Sequence, residues 1–206
     1  MVGMPTDASN HYFDANPSTP DKRREITTRI WGREMTFTTS TGVFSQDGLD
    51  KATAVLLQQS EPPTGGTILD LGCGWGPIAC AIAAVAPEAN VWAVDPNERA
   101  LDLTRTNADN LGVSVHAARP DDVPPDVSFD QIWSNPPIRI GKAALHELLL
   151  RWLPRLTPDG SARLVVAKNL GADSLQAWLN AQGWPTERLA SLKGFRILQV
   201  SRSSRP

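Results

Sequence analysis

The chain has 206 residues, 41% hydrophobic and 20% charged, with a formal net charge of −2, which suits one well-buried domain and is short for two. No apolar run approaches the ~20 residues that cross a bilayer. The N-terminus "MVGMPTDASNHYF" has neither the basic nor the apolar region of a secretory leader, so a cytoplasmic protein is expected. The small net charge hides a segregation: residues 69–130 hold 3 Lys/Arg against 10 Asp/Glu, while residues 131–206 hold 11 against 4. A polyanion could meet the basic stretch, although charges that only solvate opposite ends of a domain would look the same. Cys73 and Cys80 have no histidine at ligand spacing, since His11, His116 and His146 are scattered. The two cysteines read as apolar fillers, with neither a disulfide nor a metal expected.

Residues 1–24 are polar and proline-bearing and read as an arm anchored only by Tyr12 and Phe13. "EITTRIWGREMTFTTSTGVF" alternates apolar and polar residues around Gly32, a hairpin pattern. "LDKATAVLLQQS" has helical spacing and stops before Pro62-Pro63. Residues 1–60 are thus expected as an arm, hairpin and helix packed on a main unit spanning 61–206.

From Gly66 onward strands alternate with helices. "TILDL", "NVWAVD", "VSVHA", "FDQIWS" and "SARLVVAK" read as strands, separated by the helices "PIACAIAAVA", "NERALDLTRTNADNLG" and "KAALHELLLRWLPRL". "ADSLQAWLNAQG" is a further helix, and "PTERLASLKGFRILQVS" reads as two strands joined at Lys193-Gly194. The pattern predicts an α/β fold: a mostly parallel seven-stranded sheet covered by helices on both faces, with ligands at the carboxyl ends of its strands.

Two strand ends carry the chemistry. "LDLGCGWGPI" follows the first strand of the main unit, and Gly72, Gly74 and Gly76 let the backbone turn tightly beside a ligand. A dinucleotide fingerprint would need glycine where Pro77 stands, and Pro77 also removes a helix-terminal N–H that a pyrophosphate would use. Asp95, at the end of "VWAVD", lies about twenty residues on, where an acid can accept the hydroxyls of a ribose. Asp70 sits in the same loop region as the glycines, so a ribose-bearing ligand with positive charge suits the pair better than one with phosphates; a turn or helix cap is the plain alternative for Asp70. The second feature is "SNPPIRIGK". Proline has no N–H and a fixed φ, so Asn135-Pro136-Pro137 must be extended and stiff, with carbonyls that no helix or sheet consumes. Such a segment is either a strand stop or a rigid rack of acceptors.

With these motifs in this order the sequence resembles the class I methyltransferases. That resemblance implies a Rossmann-like fold and S-adenosylmethionine as cofactor, held by Asp70 and the loop Gly72, Gly74, Trp75 and Gly76, and by Asp95, Pro96 and Asn97 after the next strand. "SNPP" matches the motif of the branch that methylates planar nitrogens, which implies that the Asn135 side-chain oxygen and the Pro136 carbonyl accept from the target amine while Pro137 stiffens the segment. "VFSQDGLDKATAVLL", "SNPP" and "KGFRILQV" together look like the catalytic domain of the bacterial ribosomal RNA guanine-N2 methyltransferases. This implies a ribosomal RNA or subunit partner and adds Phe44 and Ser45 at the cofactor pocket and Asp122 near the adenine.

Where that family usually has an aromatic residue to stack on the base, the chain has Ile138; Tyr12, Phe13 and Phe195 are the replacements on offer, each with ordinary packing as its alternative. Arg139, Lys142, Arg151, Arg155 and Lys168 follow the motif and could track a phosphate backbone. Two other readings stay open: methylation of a protein glutamine amide or a small-molecule amine, and a binding module that has lost catalysis.

Overall fold

The computed structural model describes residues 20–202. An antiparallel hairpin comes first, β1 (Arg23–Ile30) and β2 (Arg33–Ser40), paired from Arg23 opposite Ser40 to Ile30 opposite Arg33. Both turn residues have positive φ, 46° at Trp31 and 79° at Gly32, as a two-residue hairpin turn requires. Tryptophan tolerates this because its ring is anchored. Its Nε1 donates to the Leu57 carbonyl at 2.9 Å, and the ring meets Trp133 edge-on at 5.9 Å.

Helix α1 (Lys51–Gln59) follows, and then the main unit, which runs β3 (Thr67–Leu71), α2 (Pro77–Val85), β4 (Asn90–Val94), α3 (Glu98–Leu111), β5 (His116–Ala118) and β6 (Phe129–Ser134). It continues through α4 (Lys142–Trp152), β7 (Leu156–Ala167), α5 (Ala172–Ala181), β8 (Thr186–Leu192) and β9 (Phe195–Ser201). Its seven strands lie in the order β5-β4-β3-β6-β7-β9-β8. The pairings from β5 to β7 are parallel, and those of β9 with β7 and β8 are antiparallel. The chain leaves β3 toward one edge and returns to fill the other from β6. The carboxyl ends of β3 and β6 therefore flank the switch point where such sheets bind ligands, and the glycine loop and Asn-Pro-Pro emerge there.

The sheet is buried on both faces, so its strands read as apolar runs. Ile68, Ala93, Trp133, Val165 and Ile197 pack toward the hairpin, α1, α2 and α3, while Leu69, Val94, Ile132, Leu164 and Leu198 pack toward α4 and α5. One buried amide ties the hairpin down: Asn107 on α3 accepts from Thr38 N (2.6 Å) and donates to the carbonyls of Thr38 (2.9 Å) and Trp75 (2.8 Å). It serves β2 as a neighbouring strand would, and Phe37 beside it packs on Trp75 at 5.1 Å.

Three elements depart from the sequence reading. β5 begins at His116 because Gly112 caps α3 in the left-handed conformation and Val113 N closes back on the Ala108 carbonyl, which takes the first residues of "VSVHA" for the helix exit. α4 ends at Trp152, and Pro154 turns the next residues into a 3-10 turn, Leu153–Arg155. β7 starts at Leu156 and carries Pro158-Asp159-Gly160 as a bulge against β6, marked by the register shift between Phe129 and Gln131. Among the described residues no helix is long and apolar enough to cross a membrane.

Candidate active site

Behind β3 the backbone of Gly72, Gly74 and Gly76 runs at φ of 77°, 58° and 83°. At Gly76, the N-cap of α2, an added Cβ would lie 2.8 Å from the Thr104 side chain, so both conformation and space demand glycine. At Gly72 and Gly74 an added Cβ would meet nothing within 4 Å. These two line an open crevice with Phe44, Ser45, Asp50, Thr53, Trp75 and Asn135. Backbone bonds from Gly72 N and Cys73 N to the Val94 carbonyl fasten the loop to the end of β4.

Two acids stand at this end of the sheet. Asp70 is 1% exposed; its Oδ2 accepts from Ala79 N in the first turn of α2 (3.0 Å), and its Oδ1 has no partner among the described residues. Burial, with a smaller push from Asp95, raises its carboxyl to about 8. Asp95 accepts from Gly74 N and Asn97 N, each at 2.9 Å, and burial raises it to about 6 against those two bonds. The Asn97 side chain caps α3 by accepting from Arg99 N and Ala100 N, and its Nδ2 donates to the Gly42 carbonyl. Asp70 thus does cap α2 with one oxygen and keeps the other unpaired in an apolar setting, a costly arrangement without a cation or donor nearby.

Across the crevice, Ser134 ends β6 by donating to the Leu71 carbonyl at 2.7 Å. Asn135 then donates from Nδ2 to Asp50 Oδ2 (2.9 Å) and Thr53 Oγ1 (3.1 Å), while its Oδ1 accepts from nothing among the described residues. Pro137, at φ −74° and ψ 73°, is the centre of an inverse γ-turn. It brings Ile138 N to the Pro136 carbonyl at 2.8 Å. The expectation that no helix or sheet consumes these carbonyls is corrected at Pro137, whose oxygen accepts from Ile140 N (3.1 Å) in the 3-10 turn Ile138–Ile140; the γ-turn takes one lone pair of the Pro136 oxygen, leaving the second. Asp50 and Thr53 were missed by sequence reasoning. Their only local signal is that Asp50 caps α1, accepting from Ala52 N and Thr53 N, a role common enough to hide a second one.

The profile of a family described as the methyltransferase small domain matches residues 34–199. The chain belongs to this methyltransferase family. Uncharacterized protein YbxB of Bacillus subtilis is 30% identical over 199 residues, 94% of this chain and 99% of that protein. Ribosomal RNA small subunit methyltransferase C of Klebsiella pneumoniae is 38% identical over 148 residues, 66% of this chain and 42% of the relative. The chain therefore spans less than half the length of that relative. Among solved structures, the Thermus thermophilus 16S rRNA N2 guanine methyltransferase, in complex with AdoMet and guanosine, superposes with a TM-score of 0.74 at 24% identity, covering 91% of this chain and 52% of that one. A ribosomal protein L11 methylase from Lactobacillus delbrueckii gives 0.59 at 21% identity, covering 77% and 86%. At these identities the two structures attest the fold.

A methyltransferase of this family takes its methyl group from S-adenosylmethionine, and the crevice fits that group. Asp70 and Asp95 stand behind the crevice lining rather than in it, and a cation held nearby would ease both raised carboxyls. The open sides of Gly72 and Gly74 leave room for it, and the remaining lone pairs of Asp95 can accept hydroxyls. Phe44, 42% exposed, and Ser45, at φ 55°, form the crevice wall ahead of α1. Trp75 is 2% exposed and lines the crevice from the loop. Pro96 follows Asp95 at the end of β4, whereas Asp122 is exposed in the turn after β5 and is not part of the crevice wall.

Ile138 and Lys142 line a second, more apolar cavity of about 250 Å³ with His146 and Trp178, whose rings stack. Phe195 sits half-buried at the start of β9 opposite Ala167 and packs on the core of the hairpin face. Arg139, Lys142 and Lys168 are exposed near the carboxyl ends of β6 and β7. Arg151 instead pairs with Asp121 and donates to the Pro120 carbonyl. Arg155 donates to the Pro124 and Val127 carbonyls and lies over the Phe129 and Trp152 rings. Tyr12 and Phe13 lie outside the described residues.

Proposed function

We propose that this methyltransferase transfers the methyl group to the exocyclic N2 amine of a guanine in ribosomal RNA. The observation that carries the reading is the Asn135 amide, turned so that its oxygen is the unpaired acceptor in the crevice lining; Pro136, the next residue, is to supply the second acceptor. An exocyclic amine shares its lone pair with the ring and attacks only when the nitrogen pyramidalises. Two fixed acceptors, one on each N–H, bring this about. S-adenosylmethionine supplies, when bound, an electrophilic methyl on a positively charged sulfur. Asn135 and Pro136 orient the amine, Gly72 to Gly76 and Asp95 hold the opposite wall, and the amine's proton is shed after its nitrogen has been alkylated, so no strong base is required at Asn135.

Magnitudes favour this division of labour. Orienting two bound reactants can supply ~7–11 kcal/mol, against about 2.7–4 kcal/mol for one preorganised polar contact. The relatives named as ribosomal RNA methyltransferases support RNA as substrate, and the exposed Arg139, Lys142 and Lys168 suit a phosphate backbone.

The test is transfer of tritium from labelled S-adenosylmethionine to total RNA, ribosomal subunits and protein extract, with Asn135→Ala as control. Label recovered as N2-methylguanine and abolished in the variant is expected. Label in protein or in small molecules would replace the guanine reading and make Ile138 the mark of a different acceptor.

A further inference from the structure

We propose that Asp50, assisted by Thr53, is the positioning residue that sets Asn135, holding its amide nitrogen so that only the oxygen faces the crevice; the role rests on the guanine-amine reading above. A primary amide turned by 180° has nearly the same shape and the opposite polarity. With Nδ2 toward the crevice, Asn135 would offer donors to an amine that also offers donors, and the acceptor pair would be lost. The orientation of this one side chain is therefore an on-off variable.

A threonine hydroxyl both donates and accepts, so Thr53 alone does not decide the orientation, whereas an ionised carboxylate only accepts. Asp50 Oδ2 stands 2.9 Å from the Asn135 nitrogen and rejects the turned amide. It is itself fixed, because the same oxygen accepts from Ala52 N (2.7 Å) and Thr53 N (3.1 Å) at the start of α1. A negative acceptor on the nitrogen side also polarises the amide and concentrates charge on Oδ1, where the amine is to bind. One cap thus supports a helix and aims a side chain 85 residues away in sequence.

The two roles separate by substitution. Asp50→Ser keeps a helix cap but loses the charge and draws the accepting oxygen back toward the backbone, lengthening the 2.9 Å bond from Asn135, while Asp50→Asn keeps the length and loses the charge. In Asp50→Ser, turnover on the acceptor that the wild type labels is expected to fall about 10- to 150-fold, the rate equivalent of one hydrogen bond to a charged group. The dissociation constant for S-adenosylmethionine should stay within about twofold by calorimetry, with Asp50→Asn between wild type and Asp50→Ser in turnover. A readout independent of activity is the side-chain NH2 pair of Asn135 in the 15N spectrum of the cofactor-free protein, assigned by its loss in Asn135→Ala and expected to shift in Asp50→Ser. An unmoved NH2 pair, wild-type turnover in Asp50→Ser, or a turnover loss matched by a loss of cofactor affinity would overturn the proposal. Failure of the wild type to label any RNA would sink the guanine reading alone, since the resonance still reports whether Asp50 holds Asn135.

Discussion

The two walls of the crevice are built by opposite means. The cofactor wall comes from adjacent strands, β3 and β4, and its hydrogen bonds at the strand ends are given by backbone N–H groups: Gly72 N and Cys73 N to Val94, Gly74 N to Asp95, Ala79 N to Asp70. The acceptor wall joins α1 to the end of β6 through bonds between side chains, Asn135 to Asp50 and Thr53. A change in the first wall disturbs the backbone that shapes the loop, whereas the second, tied side chain to side chain, can be reset by one substitution that leaves the backbone alone. Changes on the two sides should therefore separate binding and stability from turnover.

The largest separation is expected from Asn135→Ala: turnover down ~100- to 1000-fold, with S-adenosylmethionine affinity by calorimetry within about twofold of wild type. Gly76→Ala attacks the other wall. At φ 83°, with Thr104 2.8 Å from the new Cβ, it should cost about 2–4 kcal/mol in urea unfolding and weaken cofactor binding along with stability. Asn107→Ala strips the clamp from Thr38 and Trp75 and should cost roughly 1–3 kcal/mol, while the Asn135 NH2 resonances stay in place.

A change of pH also separates the walls, because the two raised carboxyls both stand on the cofactor side. Asp70 and Asp95 are raised to about 8 and about 6 from an ordinary 3.8, so between those limits the folded state binds more protons than the unfolded one. Stability of the cofactor-free protein should fall as pH rises from about 4 to about 8. Affinity for the cationic cofactor should rise over the same range as the carboxyls ionise. A thermal unfolding series with and without S-adenosylmethionine checks both signs, and stabilisation by the cofactor that shrinks toward pH 8 would contradict them.

The cofactor wall was largely legible in the sequence because it is local: a strand, three glycines and an acid about twenty residues on, all within two strand-helix units. The sheet was legible for the same reason, since alternating apolar runs and helical spacings mark each element. What escaped was long-range or doubly employed. Asp50 and Asn107 look like a helix cap and a helix-surface amide, and only the packed structure gives each its distant partner. Arg151 and Arg155 look like phosphate contacts until the loop from Pro120 to Val127 is seen to occupy them. The bulge in β7 was hidden because Pro158-Asp159-Gly160 has the composition of a turn.

Those two arginines bear on how strongly ionic strength should govern the encounter with the RNA proposed above. Of the five cations named above as candidates for a phosphate backbone, Arg139, Lys142 and Lys168 stay clear of that loop and exposed. With ~0.7 counterion released per single-strand phosphate contact, they would give a log–log salt dependence with a slope of about −2, where five would give about −3.5. Binding so lightly coupled to displaced counterions should persist at salt concentrations that strip a more basic protein from its strand, and selection among RNAs would then fall to the shape of the crevice.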